Sequence, residues 1–97
     1  MEKLIYLNEL FDMYQDLLTE KQQMYFKDYY FDNLTLSEIS ENNDVSRNAV
    51  HKAIKEAEEK LLFYEEKLKL LDKKKQIDGI INLVKDKRIK DTLKNIF

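Results

Sequence analysis

Between Ser46 and Lys55 the chain carries Arg47, Asn48, His51, Lys52 and Lys55 with no acidic residue among them. On a helix these positions share one side, because residues three and four apart are surface neighbours. Arg and Asn side chains can make paired hydrogen bonds to guanine and adenine edges in the major groove. Lysines at the flank suit phosphate oxygens, which position a protein without specifying sequence. Ser46, Arg47, Asn48, His51, Lys52 and Lys55 are therefore the candidate nucleic-acid contacts, and DNA is the expected partner. The plain alternative is a solvated helix face that meets only water.

Other chemistry has little to work with. One His, no Cys and a single Gly (Gly79) leave no thiol–imidazole pair, no phosphate-cradling loop and no His-based metal cluster. His51 could in principle activate Ser46 or Ser37, but a lone helix His reads better as a binding residue. Glu58-Glu59 and Glu65-Glu66 are adjacent rather than facing pairs, as on a solvated face and unlike an acid/base dyad. No enzyme, catalytic residue, metal or cofactor is expected.

The stretch that would position the contacts runs from Thr35 to Lys55 and reads as a helix-turn-helix. Thr35 followed by Glu38 is a capping box, in which each side chain satisfies an orphan backbone N–H of the first turn. Ile39 points inward, and Ser40 is small enough for two helices to cross closely. Asp44 falls where the turn wants a positive φ, which Asp and Asn tolerate better than most residues. Val45 plugs the corner, Ser46 caps the second helix, and Val50 and Ile54 supply its buried stripe.

Upstream, Leu4, Leu7, Phe11, Tyr14 and Leu18 mark an amphipathic helix from about Glu2 to Leu17. Thr19 with Gln22 repeats the capping box and opens a helix to about Phe31, whose Tyr25, Phe26, Tyr29, Tyr30 and Phe31 are read as core before base-stacking surface. Asp32-Asn33 ends it. Downstream, Val50, Ile54, Ala57, Leu61, Tyr64, Leu68 and Leu71 alternate by four and three, so the recognition helix is expected to run on to Leu71 as a rod. That seam could face the first helix, the tail, or a second copy in a homodimer with paired half-sites about 34 Å apart. Lys73–Lys75 are expected just past the rod, beside its C-terminal dipole. Ile77, Ile80, Ile81 and Val84 form a further short helix weakened by Gly79, and Ile89, Leu93 and Ile96 continue after the charged break Lys85–Arg88.

The 97 residues fit one folded unit, divided as 1–72 and a basic tail 73–97. The absence of Pro and the single Gly favour helices over β-turns. The expected fold is all-α: a helix-turn-helix of winged-helix-like or sigma-region-4-like type, with a three-helix core, a long recognition helix and a short C-terminal helix. Net charge is −2, against indiscriminate polyanion binding. Its distribution is uneven: residues 73–97 carry eight basic and three acidic side chains, and residues 1–72 nine and sixteen. A basic tail on an acidic body suggests a directed contact with nucleic acid or with the chain's own surface. The lack of Cys fits a reducing cytoplasm, Met1-Glu2-Lys3 does not open a signal sequence, and no apolar run approaches the roughly 20 residues of a membrane span.

Through Leu18, Gln22, Leu34, Glu38, Ile39, Val45, Ser46, Val50 and Ile54 the chain resembles region 4 of a bacterial sigma factor, the part that reads a promoter element. It resembles the YlxM family more closely. The phrases that carry this are Asn8-Glu9-Leu10-Phe11-Asp12, Leu17-Leu18-Thr19-Glu20-Lys21-Gln22, Leu36-Ser37-Glu38-Ile39, Val45-Ser46-Arg47-Asn48-Ala49-Val50 and Tyr64-Glu65-Glu66-Lys67-Leu68. The resemblance covers about residues 1–72. It implies a small cytoplasmic regulator linked to the signal recognition particle pathway, a link that comes from neighbouring genes and not from a mechanism. Asn43 departs from it, standing where the family places an apolar residue, and Asn48 replaces a longer Gln. Three functions follow in order of expectation: a DNA-binding regulator, an adaptor for a protein such as the particle's GTPase, and a binder of the particle's RNA through Lys73–Lys75 and the aromatics. In the last, A-form geometry would restrict contacts to phosphates and loops.

Overall fold

The computed structural model describes residues 2–97, and its regular elements are all helical. The helices are α1 (Glu2–Tyr14), α2 (Glu20–Tyr30), α3 (Leu36–Asn43), α4 (Arg47–Leu68), α5 (Leu70–Leu83) and α6 (Lys87–Lys94). A short 3-10 turn, Gln15–Leu17, finishes the expected first helix after Tyr14. No strand occurs among the described residues, so the motif carries no β-wing.

The sequence's start signals act where they stand. Thr19 and Thr35 both close complete capping boxes, with Gln22 and Glu38 respectively. Ser46 accepts from the Ala49 N–H at 3.0 Å and opens α4. Asn33 and Asp44 adopt left-handed backbone, φ 56° and 54°, as their short polar side chains allow.

Two apolar clusters form the core. Leu7, Leu10, Phe11, Tyr14, Leu18, Phe26, Ala57, Leu61 and Leu71 make one, with Phe11 and Phe26 stacked at 4.6 Å. Tyr25, Ile39, Val50 and Ile54 make the other, inside the helix-turn-helix. The stripe on α1 is broader than its three-and-four spacing predicts: Leu10 is fully buried, whereas Leu4 is 37% exposed. Of the rings in and just after α2, Tyr25 and Phe26 are core, while Tyr29 and Phe31 stay exposed.

The rod does not reach Leu71. Lys69 takes φ 54°, ends α4 at Leu68, and lets α5 turn back along α1. Leu68 is consequently 44% exposed, and Leu71 enters the core from α5 instead. The break is held by side chains of the preceding helix and of α1. The Glu65 carboxylate accepts from the N–H groups of Leu71 (3.0 Å) and Asp72 (3.1 Å) and from the Tyr14 hydroxyl (2.5 Å). That hydroxyl in turn accepts from the Leu70 N–H at 3.1 Å. A carboxylate at exposed amides of a first helical turn is the capping arrangement, here supplied by the preceding helix.

Two further expectations change with the break. Lys73–Lys75 lie inside α5 near its N-terminus, not beyond a helix C-terminus, and Lys75 pairs with Glu9 of α1 at 3.1 Å. Val50, Ile54, Ala57 and Leu61 are buried against this chain's own helices, so that seam is not open to a second copy. α6 begins at Asp86, which accepts from the Arg88 and Ile89 N–H groups, and packs on α5 without burying any of its own residues. The molecule measures 54 × 25 × 24 Å.

Candidate nucleic-acid interface

The corner between α3 and α4 is built from a few backbone bonds. The Val45 N–H donates to the Ser40 carbonyl at 3.1 Å and the Asp44 N–H to Glu41 at 3.4 Å, a left-handed helix stop. Ser40, only 7% exposed, folds its hydroxyl onto the Ser37 carbonyl at 2.8 Å and lets the helices cross closely. Val45 is half-buried against Ile39, Val50 and Ile54. Asn43, the departure from the family pattern, donates its side-chain amide to the Ile39 carbonyl at 2.8 Å. It therefore closes the end of α3 where an apolar residue would pack.

All six predicted contacts sit at the start of α4, and all are exposed. Ser46 spends its hydroxyl lone pair on the cap. Arg47, Asn48, His51, Lys52 and Lys55 occupy an arc of about 140° on α4, counting 100° per residue, opposite the buried Val50, Ile54 and Ala57. Lys52 reaches Glu56 only at 4.0 Å and keeps 79% of its side chain in water. An exposed pair at that distance holds Lys52 weakly and leaves it free for another anion.

One feature escapes the sequence reading. Although no acid lies between Ser46 and Lys55 along the chain, Glu58 shares a recess of about 120 Å³ with His51, Lys55, Tyr29 and Tyr30. The Tyr30 hydroxyl donates to Glu58. Burial, then this carboxylate, drive the Tyr30 pKa far above its ordinary value. The acid is thus engaged at the edge of the cationic strip, one turn beyond Ile54. Its partner on α2 could not be assigned by spacing alone, since the two residues are far apart in sequence. Among the described residues no group of His, Cys, Asp and Glu could hold a metal ion. Among the described residues no helix is long and apolar enough to cross a membrane.

Residues 1–96 match the family described as "Putative helix-turn-helix protein, YlxM / p13 like". The chain belongs to the UPF0122 family. A UPF0122 protein of Halalkalibacterium halodurans is 48% identical over 86 residues, spanning 89% of this chain and 79% of the relative. One from Listeria monocytogenes serotype 4b (strain F2365) is 41% identical over 104 aligned positions, covering 98% and 94%. One from Bacillus cereus (strain AH187) is 55% identical over 73 residues, 75% and 66%. The UPF0122 match extends through α5 and α6, beyond the 1–72 stretch in which the sequence motifs lie.

Proposed function

We infer that this protein is a non-enzymatic regulator that binds DNA in the major groove with the first turns of α4. Arg47 and Asn48 meet base edges, His51 and Ser46 lie beside them, and Lys52 and Lys55 hold phosphates. The observation that carries this is the exposure of all six side chains on the free face of a helix whose other face is anchored by Val50 and Ile54. The net charge of −2 makes that local strip, and not general basicity, the source of attraction. A protein of this kind works in the cytoplasm.

The test starts from DNA selected out of a random pool by the purified full chain. Arg47→Ala should lower affinity for the selected site by about 1–3 kcal/mol and relax its sequence preference. Lys55→Ala should weaken binding to every sequence and reduce the salt slope by about 1. Equal binding by the parent and both variants removes the proposal.

A second reading is an adaptor for a protein or RNA of the signal recognition particle, as the resemblance implies. The −7 charge of residues 1–72 and the exposed Ile80 and Leu83 of α5 favour a protein partner there. Recovery of such a partner from cells, together with failure to select any DNA, would move the assignment to this function.

A further inference from the structure

α6 separates apolar from charged side chains more sharply than any other α-helix of the chain, yet it buries none of its own residues. At about 100° per residue, Ile89 and Leu93 point within about 40° of one another. Lys90 and Lys94 stand about 80° and 120° to one side of their midline, and Arg88 about 120° to the other. Asp91 lies opposite. Ile89 is 51% exposed and Leu93 half-buried, so packing on α5 covers the stripe only in part. The elbow between α5 and α6 is more open still. Leu83 is 82% exposed, more than any other large apolar side chain described, and Ile80 one turn back is 51% exposed. Around them Lys85, Lys87, Arg88, Lys90 and Lys94 outnumber Asp86 and Asp91. Asp86 turns its carboxylate onto the Arg88 and Ile89 N–H groups at 2.8 and 3.3 Å. Among the described residues no salt bridge engages any of those five cations, so the acidic body does not neutralise them.

Whatever covers this end of the molecule must take apolar side chains and cations together. Nucleic acid offers phosphates to the lysines but nothing to Leu83, Ile80 and Ile89. A second copy offers apolar partners, but symmetric pairing of α6 brings the basic flanks of one copy among those of the other. The surface of an anionic bilayer meets both demands, with phosphates at headgroup level and acyl chains just beneath. A short helix with a narrow apolar stripe, basic flanks and low overall hydrophobicity is suited to lie in that interface. Lys and Arg at its borders lay their alkyl stems along the apolar layer and keep their charges among the phosphates.

We propose that α6 and the α5–α6 elbow form a peripheral contact for an anionic lipid surface. Leu83 and Ile89 enter the boundary between headgroups and acyl chains, and Lys85, Lys87, Arg88 and Lys90 hold lipid phosphates. The contact rests on the surface and does not cross it. It stands independently of the DNA assignment, because it uses no residue of α4, and it takes Ile80 and Leu83 away from the adaptor reading. With so few apolar anchors the attachment is reversible and depends on charge, so salt weakens it.

The test is flotation of the full chain with vesicles of equal parts phosphatidylglycerol and phosphatidylcholine, pure phosphatidylcholine serving as the neutral control. The parent should float with the anionic vesicles at low salt, leave them at high salt, and ignore the neutral ones. Lys87→Gln and Arg88→Gln should each lower binding roughly fivefold. Leu83→Ser should lower it roughly tenfold with unchanged helical circular dichroism, because that side chain packs on almost nothing. The chain holds no Trp, so Leu83→Trp introduces a single reporter. Its emission should shift to the blue on anionic vesicles, whereas that of Phe63→Trp, on the exposed side of α4, should not move. A parent that does not float with the anionic vesicles overturns the proposal. So does binding that Leu83→Ser, Lys87→Gln and Arg88→Gln all leave unchanged, or an equal blue shift at both Trp positions. Capture of a protein partner or self-association that Leu83→Ser abolishes, without flotation of the parent, gives this face to that partner instead.

Discussion

Replacing Glu65 by Ala removes a carboxylate that joins α1, α4 and the start of α5. Its carboxylate accepts three hydrogen bonds, from Tyr14 and from the amides of Leu71 and Asp72. A hydrogen bond to a charged group contributes about 1.5–3 kcal/mol. A negative charge at a helix N-terminus adds about 0.3–1 kcal/mol. The Asp72 amide lies at the surface, where water replaces part of what is lost, whereas the Leu71 amide is partly buried. The Tyr14 hydroxyl has no such replacement, because that residue is only 1% exposed. Its proton would be left with no acceptor at the site. A loss of about 2–4 kcal/mol follows, a large share of the roughly 5–15 kcal/mol that holds a domain folded. Glu65→Gln keeps an acceptor and loses the charge, and should cost about half as much. Urea unfolding followed by far-ultraviolet circular dichroism, extrapolated to water, gives the values directly. Tyr14→Phe combined with Glu65→Ala should fall short of additivity by about 1 kcal/mol or more, since both variants remove the same bond. A Glu65→Ala cost below about 0.5 kcal/mol, or strict additivity, would refute the account of how the α4–α5 break is held.

Alkaline pH should destabilise the fold through Tyr14 and Tyr30. Burial, then the Glu65 and Glu58 carboxylates respectively, raise both hydroxyls above the ordinary value of 10.0. The folded state therefore keeps these protons longer than the unfolded chain, so their stabilisation is complete below about pH 10 and lost as pH rises through the folded values. Urea midpoints across that range should fall, and Tyr30→Phe should flatten the fall. Lys69 stands at φ 54°, a conformation that disfavours a side chain by roughly 1–2 kcal/mol. Lys69→Gly should accordingly stabilise the chain by about 1 kcal/mol, and a thermal midpoint unchanged or lowered would count against strain at that residue.

The helix-turn-helix was legible because its signals are local. Thr35 with Glu38, Asp44 in the left-handed region and Ser46 as cap each act within a few residues of themselves. The end of α4 was not legible, for the opposite reason. Leu61, Tyr64, Leu68 and Leu71 keep helical spacing straight across Lys69, and neither Gly nor Pro marks the stop. Part of what stabilises the break, beside Glu65, is Tyr14, far away in the chain and brought near by the packing of α1 on α4. Leu10 illustrates the same limit, since its burial follows from α1 packing against both α4 and α5 and thus needing a wider apolar face. The six residues of the polar strip at the start of α4 were readable as exposed side chains on one face, whereas the Tyr30–Glu58 contact beside them required the fold.

That α6 buries no residue of its own, while α4 threads both apolar clusters, sets an order of opening. Amide hydrogens of residues 87–94 should trade with solvent deuterium first and those around Ala57 and Leu61 last, at the cost of global unfolding. Length and sequence at the C-terminal end can then drift with little penalty to the helix-turn-helix, which makes that end the natural place to attach a fluorophore or a fusion partner.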